Sequence, residues 1–199
     1  MSTSATPASA MSTSGAAIGA ADGDPAGMPI SDTTDLRTGE PIDEHLLALL
    51  PLVGRWRGVG TGVVAATGLE FRYGQEVTFS HDGRPFLAYD ARAWRTDEQG
   101  RVIKASMRET GFWRVGAGED DIEALIVTGS GVSLNFTGLA GDLRWELATQ
   151  TVSGTPTSVP VDGERRFYAL RGDELLYVTE LAPGGQPYAA HLNGSLQRI

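Results

Sequence analysis

Between Gly54 and Gly62 the chain reads Gly-Arg-Trp-Arg-Gly-Val-Gly-Thr-Gly, and no other stretch limits the fold as strongly. Side chains of a β-strand alternate between two faces, so Gly54, Trp56, Gly58, Gly60 and Gly62 share one. Glycines on one face of a strand let a neighbouring backbone approach closely, or let the strand bend. Trp56 sits among them, where a large apolar ring is placed to close one end of a barrel.

The rest of the chain supports that reading. Runs rich in Val, Phe, Tyr, Trp and Leu recur over residues 71–80, 85–95, 102–115, 122–127, 132–138, 143–152, 165–170, 175–181 and 188–199. Turn signals separate them, among them His81-Asp82-Gly83-Arg84, Asp97-Glu98-Gln99-Gly100 and Arg171-Gly172-Asp173-Glu174. With the opening strand this makes nine or ten strands in hairpin order. Short hairpin links require antiparallel neighbours, so the expected fold is all-β: a lipocalin-like, up-and-down antiparallel barrel of about ten strands, wide enough for a ligand. The loosest link is residues 151–160. Before the first strand, Pro41 to Pro51 reads as a short helix capped by Asp43 and ended by Pro51, with leucines to pack on one end of the sheet.

Residues 1–40 are a different kind of sequence. They hold no aromatic side chain and no basic one before Arg37, and they are built mainly from Ser, Thr, Ala, Gly, Asp and Pro. Such a segment buries too little apolar surface to offset its ordering entropy, so a disordered acidic leader is expected ahead of a domain spanning residues 41–199. The leader lacks the basic start and continuous apolar run of a secretory signal, which points to a cytoplasmic protein. No apolar run approaches a membrane span of about 20 residues. A net charge of −9 disfavours nucleic acids and anionic membranes as partners. The chain has no cysteine and three histidines, which excludes disulfides and thiolate metal sites and makes a zinc site a poor fit. It carries no G-x-S-x-G elbow, phosphate loop, dinucleotide fingerprint or H-E-x-x-H motif.

Five segments in order then carry a resemblance. They are Gly54-Arg55-Trp56-Arg57-Gly58-Val59-Gly60, Phe79 to Tyr89, Glu109-Thr110-Gly111-Phe112, Gly172 to Tyr177, and His191-Leu192. Over residues 41–199 the chain resembles the nitrobindins, haem-binding β-barrels described as peroxynitrite isomerases. The resemblance implies a ten-stranded barrel with haem b near one mouth and His191 as its axial, metal-binding ligand. Thr67 falls where a threonine of the family lies close to the haem, and Met107 falls in the distal region. Some relatives carry a basic residue suited to a haem propionate in the segment just before Arg165. Here Val159 to Gly163 has none, which leaves Arg165 and Arg166 on offer.

The implied activity is isomerisation of peroxynitrite to nitrate at ferric haem, with nitric oxide as a second ligand and no separate acid or base residue. A neutral imidazole is a good haem ligand. Read without the family, His191 is ambiguous: strict alternation groups it with Asn193, Ser195 and Gln197, on a polar face, unless a bulge near Gly194 breaks the pattern. His81 reads as a turn residue and His45 as a surface one. Trp94, Trp113 and Trp145 read as wall packing. The sequence leaves two other functions open, a carrier of an apolar small molecule without iron chemistry and a nitric oxide sensor. It does not decide between a monomer and a homodimer.

Overall fold

The computed structural model describes residues 30–199. Ten antiparallel strands close into one barrel: β1 (Gly54–Val63), β2 (Glu70–Ser80), β3 (Leu87–Thr96), β4 (Val102–Val115), β5 (Asp121–Thr128), β6 (Val132–Gly141), β7 (Arg144–Gly154), β8 (Gly163–Arg171), β9 (Glu174–Ala182) and β10 (Ala189–Arg198). Each strand pairs with the next, and β1 pairs with β10 from Trp56↔Arg198 to Gly62↔Leu192. The expected up-and-down barrel is therefore the observed one, with strand limits close to those read from the turns. No helix among the described residues is long and apolar enough to cross a membrane.

The glycine face of β1 turns inward. A Cβ on Gly60 would strike the Asn193 carbonyl of β10 and the ring of Tyr73, and one on Gly62 would strike Phe71 and Leu192. The empty space at these positions is what lets β10 close onto β1 while large rings from β2 fill the interior.

The closed end is capped by a 3-10 helix, Glu44–Leu52. With three residues per turn, Leu46, Leu49 and Leu52 line up on one side, and all three are buried. Asp43 caps the first turn by accepting from the His45 N–H, as expected. Pro51 does not end the helix; it lies inside it. It has no N–H to give the Ala48 carbonyl three residues back, and the Trp145 Nε1–H bonds that carbonyl instead at 2.8 Å. Trp56 is fully buried and donates its Nε1–H to the Leu52 carbonyl at 2.8 Å. The two indoles thus satisfy carbonyls that a helix terminus leaves open, and the cap is held by packing and hydrogen bonds together. Of the other expected wall residues, Trp113 is buried inside, in edge contact with Phe79 and Tyr168. Trp94 lies on the outer face, against Gly74 and under Arg57.

The expected leader spans two regimes. Residues 1–29 lie outside the described residues. Residues 30–40 contain a β-bridge, Thr33↔His81, made of two backbone hydrogen bonds of 2.8 and 3.0 Å. Ser80 Oγ adds a bond to Asp32. His81 is accordingly no exposed turn residue. It is buried under this bridge at the closed end, with neither ring nitrogen hydrogen-bonded among the described residues. Burial holds its pKa below the ordinary histidine range.

Two stability measurements check this account. Trp56→Ala is expected to cost about 3–5 kcal/mol in denaturant unfolding, the usual loss for a buried aromatic; a loss under about 1 kcal/mol would place the ring in solvent. A chain starting at residue 41 should melt roughly 3–6 °C below one starting at residue 30, because only the latter keeps the Thr33 bridge over His81. Equal melting temperatures would mean the bridge adds no stability.

Candidate functional site

At the end opposite the helix the barrel mouth is formed by the β1–β2, β3–β4, β5–β6, β7–β8 and β9–β10 links. β4 reaches past its neighbour there: its pairing with β5 begins only at Glu109, while Val102 and Ile103 stand largely exposed.

His191 lies on β10 at this mouth. The β9–β10 register jumps between Ala190↔Glu180 and Leu192↔Thr179, so His191 is itself the extra residue of a β-bulge. The bulge occurs, but three residues before Gly194. It breaks the alternation that would have grouped His191 with Asn193 and Ser195 on the outer face. Thr179, opposite the bulge, is buried. The imidazole is half-buried and bonds the Val63 carbonyl through Nδ1 at 2.9 Å. A carbonyl only accepts, so Nδ1 carries the hydrogen and the neutral ring presents its lone pair on Nε2. Burial pushes the His191 pKa down, and the positive charges of Arg166 and Arg95 act in the same direction; the Val63 contact and Glu109 act against them. The net result is an imidazole kept neutral with its tautomer set by the β1–β2 corner.

Below the mouth lies a buried ionic cluster that the sequence did not disclose. Arg166 on β8 makes a bidentate pair with Glu109 on β4, 2.9 Å for each bond, and its Nε donates to Glu164 at 2.7 Å. Tyr89 donates its hydroxyl to Glu109 at 2.9 Å. The Arg166 guanidinium holds the Glu109 carboxyl below the ordinary carboxylate range against the cost of burial. Glu164 shares that cation, yet burial and the charge of Glu109 push its pKa up. Deeper still, Tyr73 and Tyr177 meet through their hydroxyls and with Gln75, and burial raises the Tyr73 phenol to about 12. The phenols therefore stay protonated at neutral pH. One signal was present in the sequence: Glu109 and Gly111 share a face of β4, as Glu164 and Arg166 do on β8. Only closure of the barrel sets those faces against one another.

The other expected residues separate. Met107 is half-buried and on the inner side of β4, two residues from Glu109. Thr67 is exposed on the β1–β2 link, and its hydroxyl accepts from the Leu69 N–H. Arg165 points outward to Glu180 and under Tyr188, and both edges of Arg166 are committed to glutamates. His45 is exposed and bonded to Asp43.

Among the described residues no three His, Cys, Asp or Glu side chains gather as metal ligands. A haem would need one lone-pair donor from the protein, and the Nε2 of His191 is free to serve as one. A surface groove of about 870 Å³ runs along the outer wall past Val59, Phe167 and Val178 and does not include His191. A smaller hollow, about 170 Å³, is bounded by Gly62, Val63, Glu70, Leu192 and His191. The lone-pair donor, rather than the volume, marks the candidate site.

Comparison with known proteins identifies the family of the chain. Residues 45–198 match the family described as the THAP4-like, heme-binding beta-barrel domain. A peroxynitrite isomerase of Streptomyces griseus is 44% identical over 174 residues, which is 86% of this chain and 92% of that protein. A ferric nitrobindin-like protein of Nocardia farcinica is 41% identical over 171 residues, 84% of this chain and 72% of that protein. The crystal structure of Rv2717c from M. tuberculosis superposes with a TM-score of 0.70 at 30% identity, covering 79% of this chain and 99% of that one.

The ionic cluster can be tested through stability. Arg166→Leu strands two buried carboxylates and is expected to cost about 3–5 kcal/mol at pH 7. The wild-type contribution of Glu109, whose folded pKa is lowered, is present above the ordinary carboxylate range and fades as pH falls through the folded value. In the variant both carboxyls have raised pKa values, so the sign reverses and acidification toward pH 4 should recover part of the loss. A deficit unchanged between pH 7 and pH 4 would mean the cost comes from lost packing instead.

Proposed function

Because this chain belongs to the family of THAP4-like, haem-binding β-barrels that includes the nitrobindins, we propose that it is a haem b protein that isomerises peroxynitrite to nitrate, with His191 as the protein ligand to iron. The observation that supports this reading most directly is the His191–Val63 hydrogen bond, which leaves a neutral imidazole with its Nε2 lone pair available at the barrel mouth.

When bound, ferric haem supplies a Lewis acid for the peroxynitrite anion. The chain supplies the rest. The Val63 carbonyl fixes the tautomer and ring orientation of His191 and makes its other nitrogen a better donor. Phe71 and Leu192, which meet over Gly62, give the mouth an apolar wall beside His191. Met107, on the inner side of β4, is assigned to the distal wall. It offers no N–H or O–H to stabilise bound dioxygen, a setting that favours the ferric state. Thr67 is assigned to the rim. No side chain is required as general acid or base, since isomerisation leaves the proton count unchanged. Nitric oxide is proposed as a second ligand of the same centre.

His191→Ala should retain the β-sheet circular dichroism signal yet lose histidine coordination in its ferrous carbonyl and nitrosyl spectra, and peroxynitrite decay catalysed by the ferric protein should fall with it. His81→Ala, altered at the opposite end of the barrel, should keep the wild-type haem spectrum. Normal histidine-ligated spectra in His191→Ala would refute the assignment.

A further inference from the structure

Arg165 faces outward and Arg166 is fully engaged, so neither basic residue expected to meet a haem carboxylate is placed to do so. A different arginine stands at the mouth. Arg95 pairs in register with Tyr73, whose ring is buried in the barrel, and it follows the buried Ala91 and Ala93 at alternate positions of β3. Its side chain therefore starts from the inner face. The guanidinium lies against Phe71, with Cζ 3.1 Å from the ring centre. Ten other arginines among the described residues have a carboxylate within 4.0 Å: Arg37, Arg55, Arg57, Arg84, Arg92, Arg101, Arg108, Arg114, Arg165 and Arg166. Arg95 has none. Lys104, its register partner on β4, adds a second positive charge to the same edge.

Position relative to His191 is given by the packing. Leu192 and Phe71 meet over Gly62, and Arg95 covers Phe71. A continuous row thus crosses β10, β1, β2 and β3 from the axial histidine to the guanidinium. Three strand spacings make this roughly 14 Å along the wall. Arg95 is partly buried, and its guanidinium, stacked on Phe71, keeps N–H donors to which an incoming carboxylate can bond.

We propose that Arg95 is the cation that binds a propionate carboxylate of haem at the barrel mouth. Phe71 holds the guanidinium plane in place, leaving its N–H edge to donate to the carboxylate oxygens. This rests on the haem reading above and assigns a residue to the part of the cofactor that His191 does not touch.

The experiment compares hemin with hemin dimethyl ester, which has the same macrocycle but no propionate charge. Loss of each to excess apomyoglobin is timed from full-length wild type, Arg95→Ala and Arg95→Lys. Arg95→Ala should release hemin about 10–100-fold faster, the range for a charge-assisted hydrogen bond, while releasing the dimethyl ester at the wild-type rate. Arg95→Lys, which keeps the charge but not the planar fork, should fall between. Equal acceleration of both porphyrins in Arg95→Ala would overturn the proposal and assign Arg95 to packing over Phe71; no acceleration of either would overturn it as well. Failure of wild type to take up hemin at all would instead remove the haem reading on which the proposal stands.

Discussion

The ladder between β1 and β10 is the contact through which an open ten-stranded sheet becomes a barrel. An open sheet of this length would present two unpaired edges, and closure removes both. The ladder forms because β1 carries hydrogen where other strands carry side chains. At Gly58 an added Cβ would collide with the backbone of Ser195 and Leu196, and at Gly60 with the Asn193 carbonyl. The same ladder brings the end of β1 beside the start of β10, which puts the Val63 carbonyl within hydrogen-bond distance of His191. Closure of the fold and orientation of the candidate ligand therefore depend on one set of contacts.

The interior is graded along the barrel axis. Leu46, Leu49, Leu52, Trp56 and Trp145 seal one end with apolar surface. Tyr73, Tyr177 and Gln75 form a hydrogen-bonded belt, and Glu109, Arg166 and Glu164 form an ionic one nearer the mouth. Buried ions are expensive to desolvate and persist only when their partners are well placed. Here bidentate geometry and the Tyr89 hydroxyl provide that. The arrangement surrounds His191 with charges of both signs, and its imidazole remains neutral because burial and the two arginines outweigh Glu109.

Legibility differed by kind of feature. Strands and turns were readable because alternation and Gly- and Asp-rich links are local signals. The helix was readable in place but not in type: its leucines repeat every three residues, and Trp145 on β7 takes the Ala48 carbonyl that Pro51 cannot bond. His81 looked like a turn residue because the strand that buries it, around Thr33, comes from a segment whose composition suggests no structure. The assignment of Arg165 or Arg166 to the propionates followed position along the chain; the register shows one outside and the other already paired.

By itself the sequence determined a strand count of about ten, the antiparallel order, the glycine face of β1 and, through its resemblance, the candidate status of His191. Each is carried by residues close together in the chain, or by motifs in a set order. The tertiary structure decided which way His191 points, because a one-residue bulge at 191 changes the face of a side chain without changing the sequence around it. It also decided that Glu109 meets Arg166, residues on strands that are not neighbours in the sheet and touch only across the interior. That meeting, and the stacking of Arg95 on Phe71 at the mouth, arise from barrel closure and tilt, which no local pattern encodes.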